Sequence, residues 1–185
     1  MRANIIIHSV SGNLYIIAET LKEKLEEKGV DARLYRVEDL DLHIEANEKS
    51  EVIEFYEDII ALPLANNRKL EKADAIILGS CSRFALPSAE MKAFLDATWP
   101  LYETKALEGK KFYGFASSSV SREDGKNAVK GLYSWARMQK LEFIPFEPYI
   151  HKDGDIMPNR PGEMLDDEMD ALADAIASSL DQEET

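Results

Sequence analysis

Five short apolar runs alternate with five segments of helical periodicity along this chain, and this alternation constrains the fold most. The run Ala75–Gly79 is apolar at every position, as in a strand covered on both faces of a parallel sheet. Parallel strands need crossovers, and helical crossovers cover both sheet faces. The sequence therefore predicts an α/β three-layer sandwich around a doubly wound, five-stranded parallel sheet. We expect strands at 5–7, 30–37, 75–79, 112–116 and 142–146, and helices near 17–25, 52–60, 89–98, 128–141 and 165–180.

The chain has the size of one domain. It contains 185 residues, of which 45% are hydrophobic, and no linker divides it. We expect a single domain over residues 1–180 and a frayed tail over 181–185. Two polar stretches, Asp39–Ser50 and Asp153–Gly162, are predicted to be connections without helix or strand.

Charge and cysteine content limit the partners and the compartment. The 22 Lys and Arg against 35 Asp and Glu give a net charge of −13, which disfavours nucleic acid and anionic membrane surfaces. Cys81 is the sole cysteine, so no intrachain disulfide can form. The N-terminal apolar run is too short for a signal sequence, and no run has bilayer length. We expect a cytoplasmic protein.

Three loops are expected at the carboxyl edge of the sheet, where ligands bind in such folds: 8–15, 80–88 and 117–127. In the first, Ser9–Asn13 leads into a helix start, where unpaired N–H groups favour an anion. It matches neither the P-loop nor GxGxxG, and no Lys or Arg lies between Arg2 and Lys22. A single flavin mononucleotide (FMN) phosphate held by neutral donors fits best. The alternative is that Ser11 merely caps the helix.

The second loop carries Arg83 and Phe84, which could form one face of a site for a flat ring. The alternative places Phe84 in the core and Arg83 in solvent. Cys81 is disfavoured as a nucleophile because Pro87 stands where a Cys-x₅-Arg site needs arginine and no histidine is nearby in sequence. The three histidines lack metal-ligand spacing, so no metal is expected.

Two segments resemble a known family. They are Ala73–Gly79 with Ser82-Arg83-Phe84, and Ser88–Asp96 with its Met-Lys-Ala-Phe-Leu-Asp stretch. They are similar to flavodoxin-like proteins of the WrbA (tryptophan-repressor-binding-protein) type, which are NAD(P)H:quinone oxidoreductases, and to NADPH-dependent FMN reductases. This resemblance implies the strand order 2-1-3-4-5, FMN as cofactor, NAD(P)H as co-substrate, a small-molecule electron acceptor and a homo-oligomer, either a dimer or a tetramer.

The resemblance also implies the site residues. No side chain would act as acid or base, because the chemistry is centred on the flavin. Tyr102 would line the pocket for nicotinamide and acceptor. The cofactor-binding residues would be Ser9, Ser11, Gly12, Asn13 and Leu14 around the phosphate, Ser82, Arg83, Phe84 and Ala85 at the ring, and Ser117, Ser118, Ser119 and Ser121 in the third loop.

Two other functions stay open from the sequence. A flavodoxin-type electron carrier would use the acidic surface to meet basic partners, although the third loop lacks the aromatic residue that usually covers the ring. A flavodoxin-like binding module without cofactor would account for the serine-rich third loop and for a second loop in which Cys81 replaces the family's usual proline and Ala85-Leu86 its Gly-Asn.

Overall fold

The computed structural model describes residues 1–152 and 160–181. Most of the predicted connection over 153–162, and residues 182–185 of the predicted tail, lie outside these ranges. The strands are β1 (Arg2–His8), β2 (Asp31–Arg36), β3 (Ala75–Arg83), β4 (Leu86–Pro87), β5 (Lys111–Ser118), β6 (Glu142–Phe143) and β7 (Ile150–Lys152). The helices are α1 (Asn13–Glu27), α2 (Leu42–Glu48), α3 (Ser50–Ala61), α4 (Asn67–Glu71), α5 (Ala89–Asp96), α6 (Trp99–Thr104), α7 (Arg122–Met138) and α8 (Leu165–Asp181).

The main sheet is parallel, with the strand order β2-β1-β3-β5-β6. This confirms the predicted doubly wound core and its order. Two short strands were not predicted: β4 pairs antiparallel with β3, and β7 pairs parallel with β5. The predicted last strand over 142–146 is shorter, because only Glu142 and Phe143 pair before Pro145, which has no N–H to donate.

Side chains alternate between the two faces of the sheet and form two main cores. On one face, Ile5, Ile7 and Ile77 pack with the apolar stripes of α1 and α8. On the other face, Ile6 and Ile76 pack with residues of α5, α6 and α7. This alternation follows from the strand period of two and produces the predicted three layers.

Two helix predictions need correction. The stretch Asp39–Ser50 is not a plain connection, because it contains α2, whose buried face is only Leu42 and Ala46. Such a short apolar face leaves little periodicity to read. Helix α7 begins at Arg122 and not near 128, because Ser121 caps it and its first turn is polar. No helix in residues 1–152 and 160–181 is long and apolar enough to cross a membrane.

Candidate functional site

The first loop joins the end of β1 to the start of α1 through Gly12, whose φ of 94° favours glycine. A Cβ atom at this position would lie 2.3 Å from Cδ2 of Phe55 on α3. The capping residue of α1 is Gly12, so Ser11 does not cap the helix, whereas Ser88 and Ser121 cap α5 and α7. The N-terminus of α1 therefore carries no side-chain acceptor from its capping residue, and no acidic residue lies in its first turn.

The three predicted loops line one cavity of about 150 Å³ at the carboxyl edge of the sheet. Register explains the convergence, because His8 pairs with Ser80 and Cys81 pairs with Ser117 across neighbouring parallel strands. The predicted residues that line this cavity are Ser9, Ser11, Asn13, Leu14, Ser82, Arg83, Ser117 and Ser119. We call it the three-loop cavity.

Two predicted serines shape the third loop and do not line the cavity. Ser118 is buried, and its Oγ accepts hydrogen bonds from the N–H groups of Val120 (3.2 Å) and Ser121 (3.3 Å). The Oγ of Ser121 accepts from the N–H of Asp124 at 3.1 Å. These bonds fix the turn that presents Ser119 to the cavity.

Phe84 and Ala85 form the two-residue turn between β3 and β4. Their φ values are 52° and 59°, the left-handed region that turns of this kind require and that non-glycine residues rarely adopt. Phe84 is 99% exposed, so the alternative that places it in the core is wrong. The turn therefore presents an aromatic ring to solvent beside Arg83, at a cost in backbone strain.

Tyr102 lies on α6, apart from the three-loop cavity. It lines a second cavity of about 460 Å³ between α5, α6 and α7, which we call the helix-side cavity. Its ring is 5.1 Å from that of Trp99, and Trp135 and Met138 also line this space. Within one chain, the residue predicted for the acceptor pocket thus faces an apolar cavity on the helical layer.

Helices α2 and α3 bring residues to the three-loop cavity that were not predicted from the sequence. Glu45, Lys49 and Val52 line it, and Lys49 Nζ lies 2.9 Å from Glu45 Oε2. Lys49 places a positive charge at a cavity predicted to hold a phosphate by neutral donors alone. Glu45 and Lys49 are four residues apart in the sequence, a spacing that brings side chains together on a helix. Because helix α2 was not predicted, this pair was not predicted either.

Arg160 was not predicted as a site residue. Its side chain connects the C-terminal part of the chain to the first loop. Its Nη1 donates to the carbonyl oxygen of Ser11 and, at 3.1 Å, to Oδ1 of Asn13. The guanidinium lies 4.6 Å from the ring centre of Phe55. Arg160 and Phe55 therefore hold the first loop on its outer side.

A buried charged group lies behind the three-loop cavity. His8 Nε2 is 3.0 Å from Asp39 Oδ2, and Cys81 Sγ is 3.2 Å from His8 Nδ1. Glu90 Oε2 is 3.6 Å from the same Nδ1. Burial alone lowers the pKa of His8, but the hydrogen bonds with Asp39 and Cys81 and the charge of Glu90 outweigh it and raise this pKa to about 10. The hydrogen bond between His8 and Asp39 holds the pKa of Asp39 below its usual value.

No histidine is near Cys81 in the sequence, but parallel pairing of β1 with β3 brings His8 beside it in space. His8, Asp39 and Glu90 offer ligand atoms within 4.8 Å of one another. Both nitrogens of His8 already have partners, and the imidazole is charged at neutral pH. In the structure the group is a charge-paired cluster, in which His8 contacts Asp39, Cys81 and Glu90.

Solved structures define the class of the fold. A WrbA-like flavodoxin from Agrobacterium tumefaciens superimposes with a TM-score of 0.72 at 20% identity, covering 98% of both chains. A flavodoxin from the domain Archaea gives a TM-score of 0.68 at 21% identity, covering 98% of this chain and 99% of that one. The fold is that of a flavodoxin-like protein, as the sequence predicted.

Sequence comparison identifies the family of the chain within this fold class. The profile of the family described as NADPH-dependent FMN reductase matches residues 1–154, and the chain belongs to this family. A relative from Archaeoglobus fulgidus, named NAD(P)H dehydrogenase (quinone), is 32% identical over 129 residues, which is 69% of this chain and 66% of that protein. A relative of the same name from Aromatoleum aromaticum is 33% identical over 153 residues, or 82% and 73%.

Proposed function

We propose that the protein is an FMN-dependent oxidoreductase that takes hydride from NAD(P)H and passes electrons to a quinone or a similar small acceptor. One observation carries the proposal: residues of all three loops line a single cavity, next to a helix start whose capping residue, Gly12, has no side chain. The names of the Archaeoglobus and Aromatoleum relatives support the reaction and the acceptor class.

The first loop fits the phosphate of FMN. The backbone N–H groups at the start of α1 and the helix dipole favour an anion there, and the hydroxyl of Ser11 borders the same space. Gly12 keeps the turn open, since a side chain would collide with Phe55. Lys49 brings an ammonium group to this cavity, but it is paired there with the carboxylate of Glu45. Ser9 fixes the loop, because its Oγ accepts from the N–H of Tyr15 at 3.2 Å.

The second and third loops would hold the flavin ring. Arg83 and Ser119 offer a guanidinium and a hydroxyl as donors to polar ring edges, and the Ser82 oxygen can accept from the ring. Ser82 is held by donating to the carbonyl oxygen of Asp124 at 3.2 Å. Bound FMN supplies the ability to accept a hydride and to release electrons, and the chain binds it and orients it.

We also propose that the protein acts as a homo-oligomer in the cytoplasm. Trp99, Met138 and Leu86 are exposed around the helix-side cavity, and burying such a patch would stabilise association. A second subunit there would place Tyr102 at a subunit boundary. The single thiol of Cys81 fits a reducing compartment.

Visible absorbance tests the proposal. Purified protein is mixed with FMN, freed of excess and titrated with NADPH or NADH without air, and then a quinone is added. We expect a bound flavin that bleaches with the nicotinamide and recovers its colour with the quinone. Bound flavin that neither nicotinamide reduces would favour an electron carrier. Protein that takes up no FMN would favour the binding module.

A further inference from the structure

Cys81, His8 and Asp39 form a continuous hydrogen-bonded series. Cys81 lies on β3, His8 ends β1, and Asp39 comes shortly after β2. These three strands are neighbours in the sheet, so the three residues lie at the same edge of it. The sulfur is 3.2 Å from Nδ1 of His8, and Nε2 of the same ring is 3.0 Å from Oδ2 of Asp39. This is the nucleophile, base and orienting carboxylate order found in thiol enzymes.

The sulfur is within reach of small molecules. Cys81 is partly exposed and lines the three-loop cavity, whereas His8 lies buried behind it. Hydroxyls of Ser9, Ser82 and Ser117 also line this cavity. A small electrophile that accepts hydrogen bonds would therefore find donors close to the thiol.

The contacts of the imidazole place a hydrogen-bond donor at the sulfur. His8 faces Asp39, Cys81 and Glu90, and both its ring nitrogens can donate when it is protonated. An imidazolium beside the sulfur stabilises the thiolate, which is the nucleophilic form. Glu90, 3.6 Å from Nδ1, competes for the same proton and repels a thiolate, so it restrains this effect.

We propose that Cys81, activated by His8 and Asp39, is a redox-sensitive nucleophile that hydrogen peroxide or small organic hydroperoxides oxidise to a sulfenic acid. The thiolate attacks the terminal peroxide oxygen, an S–O bond forms and the O–O bond breaks. The sulfur loses two electrons and the hydroperoxide gains them. The departing oxygen takes its proton from the His8 imidazolium and leaves as water or an alcohol. Asp39 keeps the ring in place throughout.

The fate of the oxidised sulfur depends on the thiols available to it. Cys81 is the only cysteine, so the sulfenic acid has no second thiol in its own chain. Recovery requires two equivalents of an external thiol, which return Cys81 to the thiol and leave as a disulfide with water. The site does not depend on flavin chemistry, although FMN in the three-loop cavity would shield the sulfur.

Alkylation kinetics test the activation. Full-length protein, as purified and after removal of any FMN, is treated with EDTA and then iodoacetamide, and the single adduct is followed by mass spectrometry. At about pH 6 an ordinary thiol is less than ~1% thiolate and reacts slowly with iodoacetamide. Because His8→Asn removes the imidazole beside the sulfur, we expect the native chain to react roughly tenfold faster than this variant. Asp39→Asn should also be slower and Glu90→Gln faster. His43→Asn, which alters an exposed histidine, is the matched control and should react like the native chain.

The peroxide arm uses dimedone, which traps sulfenic acids. We expect a dimedone adduct in the native chain after hydrogen peroxide, reversal by dithiothreitol before trapping, and no adduct in Cys81→Ser. Equal alkylation rates in the native chain and His8→Asn, or no dimedone adduct in the native chain, would overturn the proposal. If His8→Asn does not fold, the pH profile of the native chain decides: a rate that falls about tenfold per pH unit below ~8.5 is that of an ordinary thiol and rejects the activation.

FMN gives a further readout that separates the two proposals. Saturation with FMN should slow alkylation of Cys81, because the cofactor and the reagent would share the three-loop cavity. A protein that takes up no FMN but retains fast, His8-dependent alkylation would contradict the proposed oxidoreductase and leave the thiol site standing.

Discussion

The guanidinium of Arg160 lies 4.6 Å above the ring centre of Phe55, and from there it holds the loop that carries Ser11 and Asn13. Phe55 in turn fills the space that a side chain at Gly12 would need. The first loop is thus supported by an aromatic ring from α3 and a cation from the C-terminal part of the chain. Contacts of this kind restrict the loop, and a restricted loop loses less entropy on binding a ligand.

Replacing Arg160 by Lys should weaken FMN binding about tenfold, or about 1.4 kcal/mol. Lysine keeps the charge but loses the planar fork that donates to Ser11 and Asn13 and stacks on Phe55. Quenching of FMN fluorescence on titration measures the affinity. Arg137→Lys, an exposed change on α7, should leave it unaltered. An unchanged affinity in Arg160→Lys would show that the loop keeps its shape without the guanidinium fork.

Ser11→Glu should abolish FMN binding while the protein remains folded. The new carboxylate would occupy the place of the phosphate, beside the positive end of α1. The same fluorescence titration measures the loss, and circular dichroism reports the fold. Ser178→Glu, at an exposed position of α8, adds the same charge away from the site and should bind FMN normally. Normal affinity in Ser11→Glu would remove the first loop from the phosphate site.

The charged state of His8 should make stability fall as the pH rises. Its pKa is about 10 in the folded chain against 6.5 for the free side chain, so between these values the folded state holds the extra proton. The stabilisation is complete below about pH 6.5 and is lost as the pH passes 10, with a size on the order of a few kcal/mol. Urea unfolding of the native chain and His8→Asn at several pH values measures it. The two free energies of unfolding should converge in alkali; a constant difference would mean that His8 does not titrate in this window.

Ala85→Gly should stabilise the protein by about 1 kcal/mol, because Ala85 holds a left-handed φ of 59° that glycine adopts without a clash. Thermal or urea unfolding gives the change. Ala93→Gly, at an exposed position within α5, should act in the opposite direction by a similar amount, since glycine destabilises helix interiors. Destabilisation by both changes would mean that the turn is not strained.

The sequence predicts the sheet and the three loops because these depend on local apolar runs and on the rule that ligands gather at the carboxyl edge, whereas the strand order came from the family resemblance. It could not predict contacts that depend on register or on distant chain segments. His8 and Cys81 are 73 residues apart and meet because β1 pairs with β3. The signal in the sequence was that both residues follow apolar runs: His8 comes directly after 5–7, and Cys81 comes shortly after 75–79. Arg160 stands in Asn159-Arg160-Pro161, a stretch that also resembles the family, but the resemblance implied no role for its side chain.

The bonds from Arg160 to Ser11 and Asn13 span 149 and 147 residues. During synthesis, the first loop therefore leaves the ribosome well before the residue that supports it. A nascent chain can complete the support of this loop only after Arg160 has been made. A chain cut short before Arg160 would carry the loop without the contact that holds it.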